Sequence, residues 1–348
     1  MRRNINRNYI WPVSLPITPG QDLVGRIVHL GDKVQKYENF KVGDRVCSIH
    51  QSLGGNNRYV TLQPNRLVRV PQSIEPTKAA CIVRSYLTAY QILYRTGAFE
   101  IERGHRILVT GANGNIGRAV IDLAKAAKAR VYGAASSHQT RFVQYKLGVA
   151  YVHADPKNWS HLTDLDIVVD CVNYTGNFND SKTVLSNGGV LVCVGSSKYV
   201  SKVMRNQKTT FKEIDYEYDS DEEIHTMISS KMCGAFAPES KKKSVYKSGC
   251  LTHLPLKCDG GVHLNFYITK VYLQFFENIE NHWEACKDDL EYLFAKFLRG
   301  KINPIVGQCV TLNQIPKAHK LLESGGLQGT IVCCPYMSSP MQGSQQKK

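Results

Sequence analysis

Residues 106–117 read RILVTGANGNIG, passing from a buried-strand pattern through a glycine turn into a helix start. Ile107, Leu108 and Val109 form the short apolar run that a parallel strand covered on both faces needs, and Thr110 closes it. Gly111, Gly114 and Gly117 then recur at every third position. In a dinucleotide-binding turn the first glycine permits the tight bend and the second lets a pyrophosphate approach the backbone. The third lets the new helix pack on the sheet. From Ile116 the apolar residues Ala119, Val120, Leu123, Ala124 and Ala127 keep the 3.6-residue period of a helix, whose leading N–H groups would face the phosphates through Asn113, Gly114, Asn115 and Ile116. Spaced glycines alone are a weak signal, since plain strand-to-helix turns use them too. A strand before, a helix after and a second strand pattern at 130–134 point to a dinucleotide site.

Downstream, helical and strand periods alternate: a helix over 138–147, a short strand at 151–153, DIVVDCV at 166–172 and GGVLVCVG at 188–195. This predicts an α/β fold with a doubly wound parallel (Rossmann) sheet. Upstream the texture is all β. Residues 16–46 alternate Leu23, Ile27, Val28, Val34, Val42 and Val46 with glycine breaks, and YVTLQPNRLVRV at 59–70 continues the pattern. These strands read as part of an antiparallel barrel, too few to close one. A helical stretch over 76–94 joins the two textures.

From about residue 197 to 260 the chain turns polar, with DYEYDSDEE at 215–223 and lysines at 241–243. It reads as a solvated insertion. Order is expected again from Leu264, in LNFYITKVYLQFF, then in a helix ending at Gly300. Strands follow at 302–306 and 308–312, then a helix at 316–323, the strand GTIVCCPY and a disordered tail over 338–348.

The composition is 21% charged and 43% hydrophobic, that of an ordinary globular protein. A net charge of +15 invites a nucleic-acid reading, but the basic residues are scattered and no nucleic-acid motif accompanies them. The eleven cysteines lack the spacing of a secreted disulfide framework and read as reduced thiols. No apolar run approaches the roughly 18 residues of a membrane helix. A cytoplasmic protein is expected, with a mitochondrial location as the alternative suggested by the basic opening MRRNINRN.

The order of these pieces resembles the medium-chain dehydrogenase/reductase superfamily, in its zinc-independent quinone oxidoreductase (zeta-crystallin-like) branch. The resemblance rests on PITPGQDLVGRIVHLG and FKVGDRV, on YLTAYQIL, on VTGANGNIG, on DIVVDCV and GGVLVCVG, and on the closing GKINPIV and IPKAHKLLESGGLQGTIV. It implies a Rossmann domain inserted in an incomplete GroES-like barrel. Residues 1–83 would form the partial barrel, 84–285 the Rossmann domain and 286–337 the return to the barrel. Family chains begin with further barrel strands, which this chain lacks on the same reading. Zinc-using relatives carry a histidine where this chain has Gln21, so no zinc is expected. Cys47 and His50 could seed a metal site but lack partners, and the Arg84–Ser85 pair replaces an apolar or small one.

On the same resemblance, Thr88 would contact the nicotinamide side of a cofactor. Val172 with Asn173, and Gly195 with Ser196, would stand at carboxyl ends of strands, where open α/β sheets bind ligands. Ser136 and Ser137 stand where an acid would read the ribose 2′-hydroxyl, and Arg141 lies one helical turn on. The family's lysine here is Thr140 and its later tyrosine Asp155. The pattern implies NADPH. The implied function is hydride transfer from NADPH to a quinone or enone-like acceptor, without zinc, in a homo-oligomer. Similarity to the vesicle amine-transport branch implies the alternative, a binding or adaptor protein that has lost turnover.

Overall fold

A computed structural model describes residues 16, 18–37, 40–49, 54–95, 100–172, 183–194, 251–257, 263–269, 282–325 and 327–336. The chain divides into two units, Met1–Arg84 with Ile305–Lys348, and Ser85–Pro304.

In the first unit β1 (Asp22–Arg26) pairs antiparallel with β2 (Arg45–Ile49), which pairs with the short β3 (Val68–Arg69). Between β1 and β2 the alternating pattern predicted strand, but Asp32–Tyr37 is the helix α1. Asp32, Lys33, Gln35 and Lys36 surround a single apolar Val34, which leaves no period-two face to bury, and Asp32 suits a helix N-terminus. β3 is short because Pro64, lacking an N–H, opens a 3-10 turn over Pro64–Arg66 where a longer strand was expected. The helix α2 (Pro76–Val83) starts on a proline and buries Ala79, Cys81, Ile82 and Val83.

The second unit begins with α3 (Ser85–Tyr90), which runs into a wider helical turn, Gln91–Arg95. Its sheet then assembles β4 (Arg106–Thr110), β5 (Arg130–Ala135), β6 (Ala150–His153), β7 (Leu165–Asp170), β8 (Leu185–Cys193), β9 (Leu251–Lys257) and β10 (His263–Thr269). Their order across the sheet is β6-β5-β4-β7-β8-β10-β9, all parallel except β9. Numbered from β4, the parallel strands run 3-2-1-4-5-6, the dinucleotide-binding order, which reverses direction between β4 and β7. Ile107, Leu108 and Val109 are wholly buried, as are Val168 and Val169 beside them.

β4 is followed by α4 (Asn115–Ala126), which buries Ala119, Val120, Leu123 and Ala124 against the sheet. Tyr86 on α3 donates to Asp122 Oδ2 of α4 at 2.8 Å. Two expectations change in this unit. The polar insertion is expected to reach about residue 260, yet 251–257 is a strand; Pro255 weakens the pattern, and a proline is tolerated here because β9 ends the sheet. The expected return to the barrel begins at residue 286, but α5 (Trp283–Leu298) belongs with the second unit. Arg95 Nη2 pairs with buried Asp289 of α5 at 2.6 Å, and Gln91 Nε2 meets Cys286 Sγ at 3.5 Å.

The chain re-enters the first unit at Ile305. There β11 (Val306–Val310) lies parallel to β12 (Thr330–Cys333), with α6 (Ile315–Ser324) between them in sequence. A strand expected at 302–306 does not form, Pro304 having no N–H to pair. The remainder of the insertion and the tail over 338–348 lie outside the described residues.

Candidate functional site

The carboxyl ends of β4 and β7 lie side by side at the point where the strand order reverses, and the glycine turn leaves β4 at that point. Gly111 adopts φ +62°, a left-handed conformation that glycine takes without strain. A Cβ on it would stand 3.0 Å from Val172 Cγ2. A Cβ on Gly117 would stand 2.3 Å from the Gly111 carbonyl oxygen, so this glycine lets α4 start directly against the turn. Gly114 needs no left-handed backbone, its φ being −73°; it is exposed and caps α4 with no side chain over the leading N–H groups. The Gly114 N–H donates to Gly111 O at 2.8 Å and the ladder of α4 opens with Arg118 N–H to Gly114 O at 3.0 Å. A helix start of this kind offers backbone donors and the positive end of a dipole to an anion. The cradle a side chain would fill, and the bare cap, fit a pyrophosphate.

Two polar residues to which the sequence alone assigns no role in the site, Thr110 and Asp170, end β4 and β7. Thr110 and Asp170 are register partners at the ends of β4 and β7, 2% and 1% exposed. Thr110 Oγ1 donates to Asp170 Oδ1 at 2.5 Å and accepts from Cys171 N at 3.1 Å, and Asp170 Oδ1 also accepts from Val172 N at 3.1 Å. The signal available was a threonine ending one apolar run and an aspartate interrupting another. Burial and the neighbouring Asp170 push the Cys171 thiol well above its ordinary value, which keeps it a thiol at neutral pH.

The structure brings Gly111, Asn113, Gly114, Asn115, Ile116, Gly117 and Val172 together around this crevice, Val172 being 53% exposed. Ser136, Ser137 and Arg141 are exposed beyond the carboxyl end of β5, the strand beside β4. Thr88 is buried in α3. Asn173, Gly195 and Ser196 lie outside the described residues. Asp155 accepts from Lys157 N at 3.1 Å, capping a 3-10 turn.

In the first unit, Gln21 Oε1 accepts from Arg84 Nη1. Burial raises the adjacent Asp22 carboxyl, an effect Arg84 partly offsets. Among the described residues no group of three His, Cys, Asp or Glu is placed to hold a metal ion, and no helix is long and apolar enough to cross a membrane.

Two family models match the chain: the alcohol dehydrogenase GroES-like domain over residues 2–72 and the zinc-binding dehydrogenase domain over 115–219. Human quinone oxidoreductase is 29% identical over 192 residues, which cover 52% of this chain and 56% of that protein. A quinone oxidoreductase-like protein 2 homolog of Nematostella vectensis is 36% identical over 121 residues, 35% of this chain and 31% of its own length. The chain thus spans about half the length of the curated relatives it matches. Among solved structures, Escherichia coli quinone oxidoreductase complexed with NADPH superposes with a TM-score of 0.65 at 20% identity, over 94% of this chain and 85% of that one. The human synaptic vesicle membrane protein VAT-1 homolog-like protein superposes with a TM-score of 0.61 at 16% identity, over 94% and 82%. These superpositions show a shared fold. The matched domains, the relatives and the shared fold together support a place for the chain in the medium-chain dehydrogenase/reductase superfamily, near its quinone oxidoreductase branch.

Proposed function

We propose that the chain is a zinc-independent reductase that binds NADPH at the glycine turn and passes hydride to a quinone or enone-like acceptor. The observation that carries the reading is the turn itself: a left-handed Gly111, a Gly117 with no room for a Cβ and a side-chain-free cap at Gly114, all at the strand-order reversal. When bound, the nicotinamide supplies the hydride. The chain's own part is to bind and orient. The leading N–H groups of α4 receive the pyrophosphate and Val172 walls the crevice. Ser136, Ser137 and Arg141 offer exposed donors to a 2′-phosphate that a carboxylate would repel. Thr88, Asn173, Gly195 and Ser196 complete the proposed contacts. Zinc independence is supported by Gln21, a neutral amide already accepting from Arg84 where zinc-using relatives place histidine.

The test is NADPH oxidation with a panel of small quinones and enones, on wild type and Gly114→Val, with melting curves for both. A Cβ at Gly114 would lie 3.2 Å from Gly111 O, close enough to need only a small adjustment of the turn, while its branches would occupy the phosphate space. Wild-type turnover that disappears in a folded Gly114→Val protein is expected. Full turnover in that variant contradicts the site. NADPH binding without turnover of any acceptor would instead favour the adaptor reading.

A further inference from the structure

We propose that Thr110 and Asp170 are positioning residues of the dinucleotide site, which fix the segment Cys171–Val172 against the glycine turn and so set the width of the crevice. This rests on the reading of the crevice as a dinucleotide site. The pairs below them in the sheet are apolar, Leu108 with Val168 and Val109 with Val169, and need no polar partner to hold β4 to β7. A buried hydroxyl and carboxylate at the last pair add desolvation cost rather than packing. Their hydrogen bonds run instead to the backbone that leaves the strand. Thr110 Oγ1 takes the Cys171 N–H and Asp170 Oδ1 takes the Val172 N–H, while the Thr110 hydroxyl joins the two side chains. Two successive N–H groups are thereby turned down toward the floor. Val172 is left exposed at the rim, with its Cγ2 3.0 Å from the space a Gly111 side chain would claim.

The test compares wild type, Thr110→Val, Thr110→Ser and Asp170→Asn by titration with NADPH and NADH, followed by nucleotide fluorescence well below each protein's melting transition. Valine keeps the shape of threonine and removes the hydroxyl; serine keeps the hydroxyl and removes the methyl. Thr110→Val should weaken NADPH about ten-fold or more, and Thr110→Ser should restore binding to within about three-fold of wild type. A packing role would rank the two variants the other way round. Asp170→Asn, which keeps an acceptor and loses the charge, should weaken binding several-fold, and it decides the matter alone if Thr110→Val does not fold. Wild-type affinity in either folded variant overturns the positioning role and leaves the proposed function standing. A wild-type protein that binds neither nucleotide overturns both.

Discussion

Asp122 on α4 holds two donors on one oxygen: the Tyr86 hydroxyl at 2.8 Å and the Asn303 N–H at 2.5 Å both meet Oδ2. Burial nevertheless raises its carboxyl above the ordinary aspartate range, with the Asn303 and Tyr86 hydrogen bonds and Lys125 opposing. A carboxyl raised on folding adds stability that is complete below its unfolded pKa and is lost as pH rises through the folded one. Asp122→Asn keeps an acceptor for both donors and removes the titration. Its melting temperature relative to wild type should therefore climb as pH rises above the ordinary aspartate value of about 4. A difference that stays constant as pH rises from about 4 would show that the carboxyl is not raised. At this scale the sequence revealed what depends on spacing and on the absence of a side chain, as at Gly111 and Gly117. It hid what depends on pairing across the fold: Thr110 and Asp170 stand 60 positions apart, and no local pattern links a threonine ending one strand to an aspartate ending another.

Among the elements, α4 was the most legible because its buried face keeps one period from Ala119 to Ala124. Its end was not legible. The helix stops in a pair of closing hydrogen bonds, Lys128 N–H to Lys125 O at 2.8 Å and Ala129 N–H to Ala124 O at 3.0 Å, with Lys128 at φ +64°. That arrangement ordinarily takes glycine, and a side chain in the left-handed region costs about 1 kcal/mol. Lys128→Gly should stabilise the second unit by about 0.5 to 1 kcal/mol, a rise of roughly 1 to 3 °C in its melting transition. An unchanged or lower transition would mean that the lysine side chain contributes a compensating contact. The misread elements have equally local causes. α1 lacks an apolar face of either period, and β9 is interrupted by Pro255, which only an edge strand accommodates.

For the whole molecule, the family pattern was spread widely enough to read both units, because each carries its own texture: antiparallel strands with tight turns in one, alternating strands and helices in the other. The proposed preference for NADPH is tested at this scale too, since a ligand that binds only the folded chain raises its stability by mass action. At a hundred times its dissociation constant NADPH should add about 2.7 kcal/mol. NADH at the same concentration should add less, because no acid in the second-strand position awaits the ribose hydroxyl and Arg141 favours a phosphate. Thermal scans with each nucleotide measure this, and an equal or larger shift with NADH would refute the preference.

The reversal of strand order also governs when the crevice can exist during folding. β4, β5 and β6 are contiguous in sequence and can collapse together by short connections, but the other wall of the crevice arrives only with β7, whose Asp166 carboxylate receives the Arg106 N–H at one end of the strand pair and whose Asp170 receives Thr110 at the other, each across 60 positions. Closing that loop costs more chain entropy than joining β4 to β5, whose register partners lie closer in sequence. A nascent chain would therefore carry a complete glycine turn well before it could grip a nucleotide, and binding would report the docking of β7 rather than the formation of the turn.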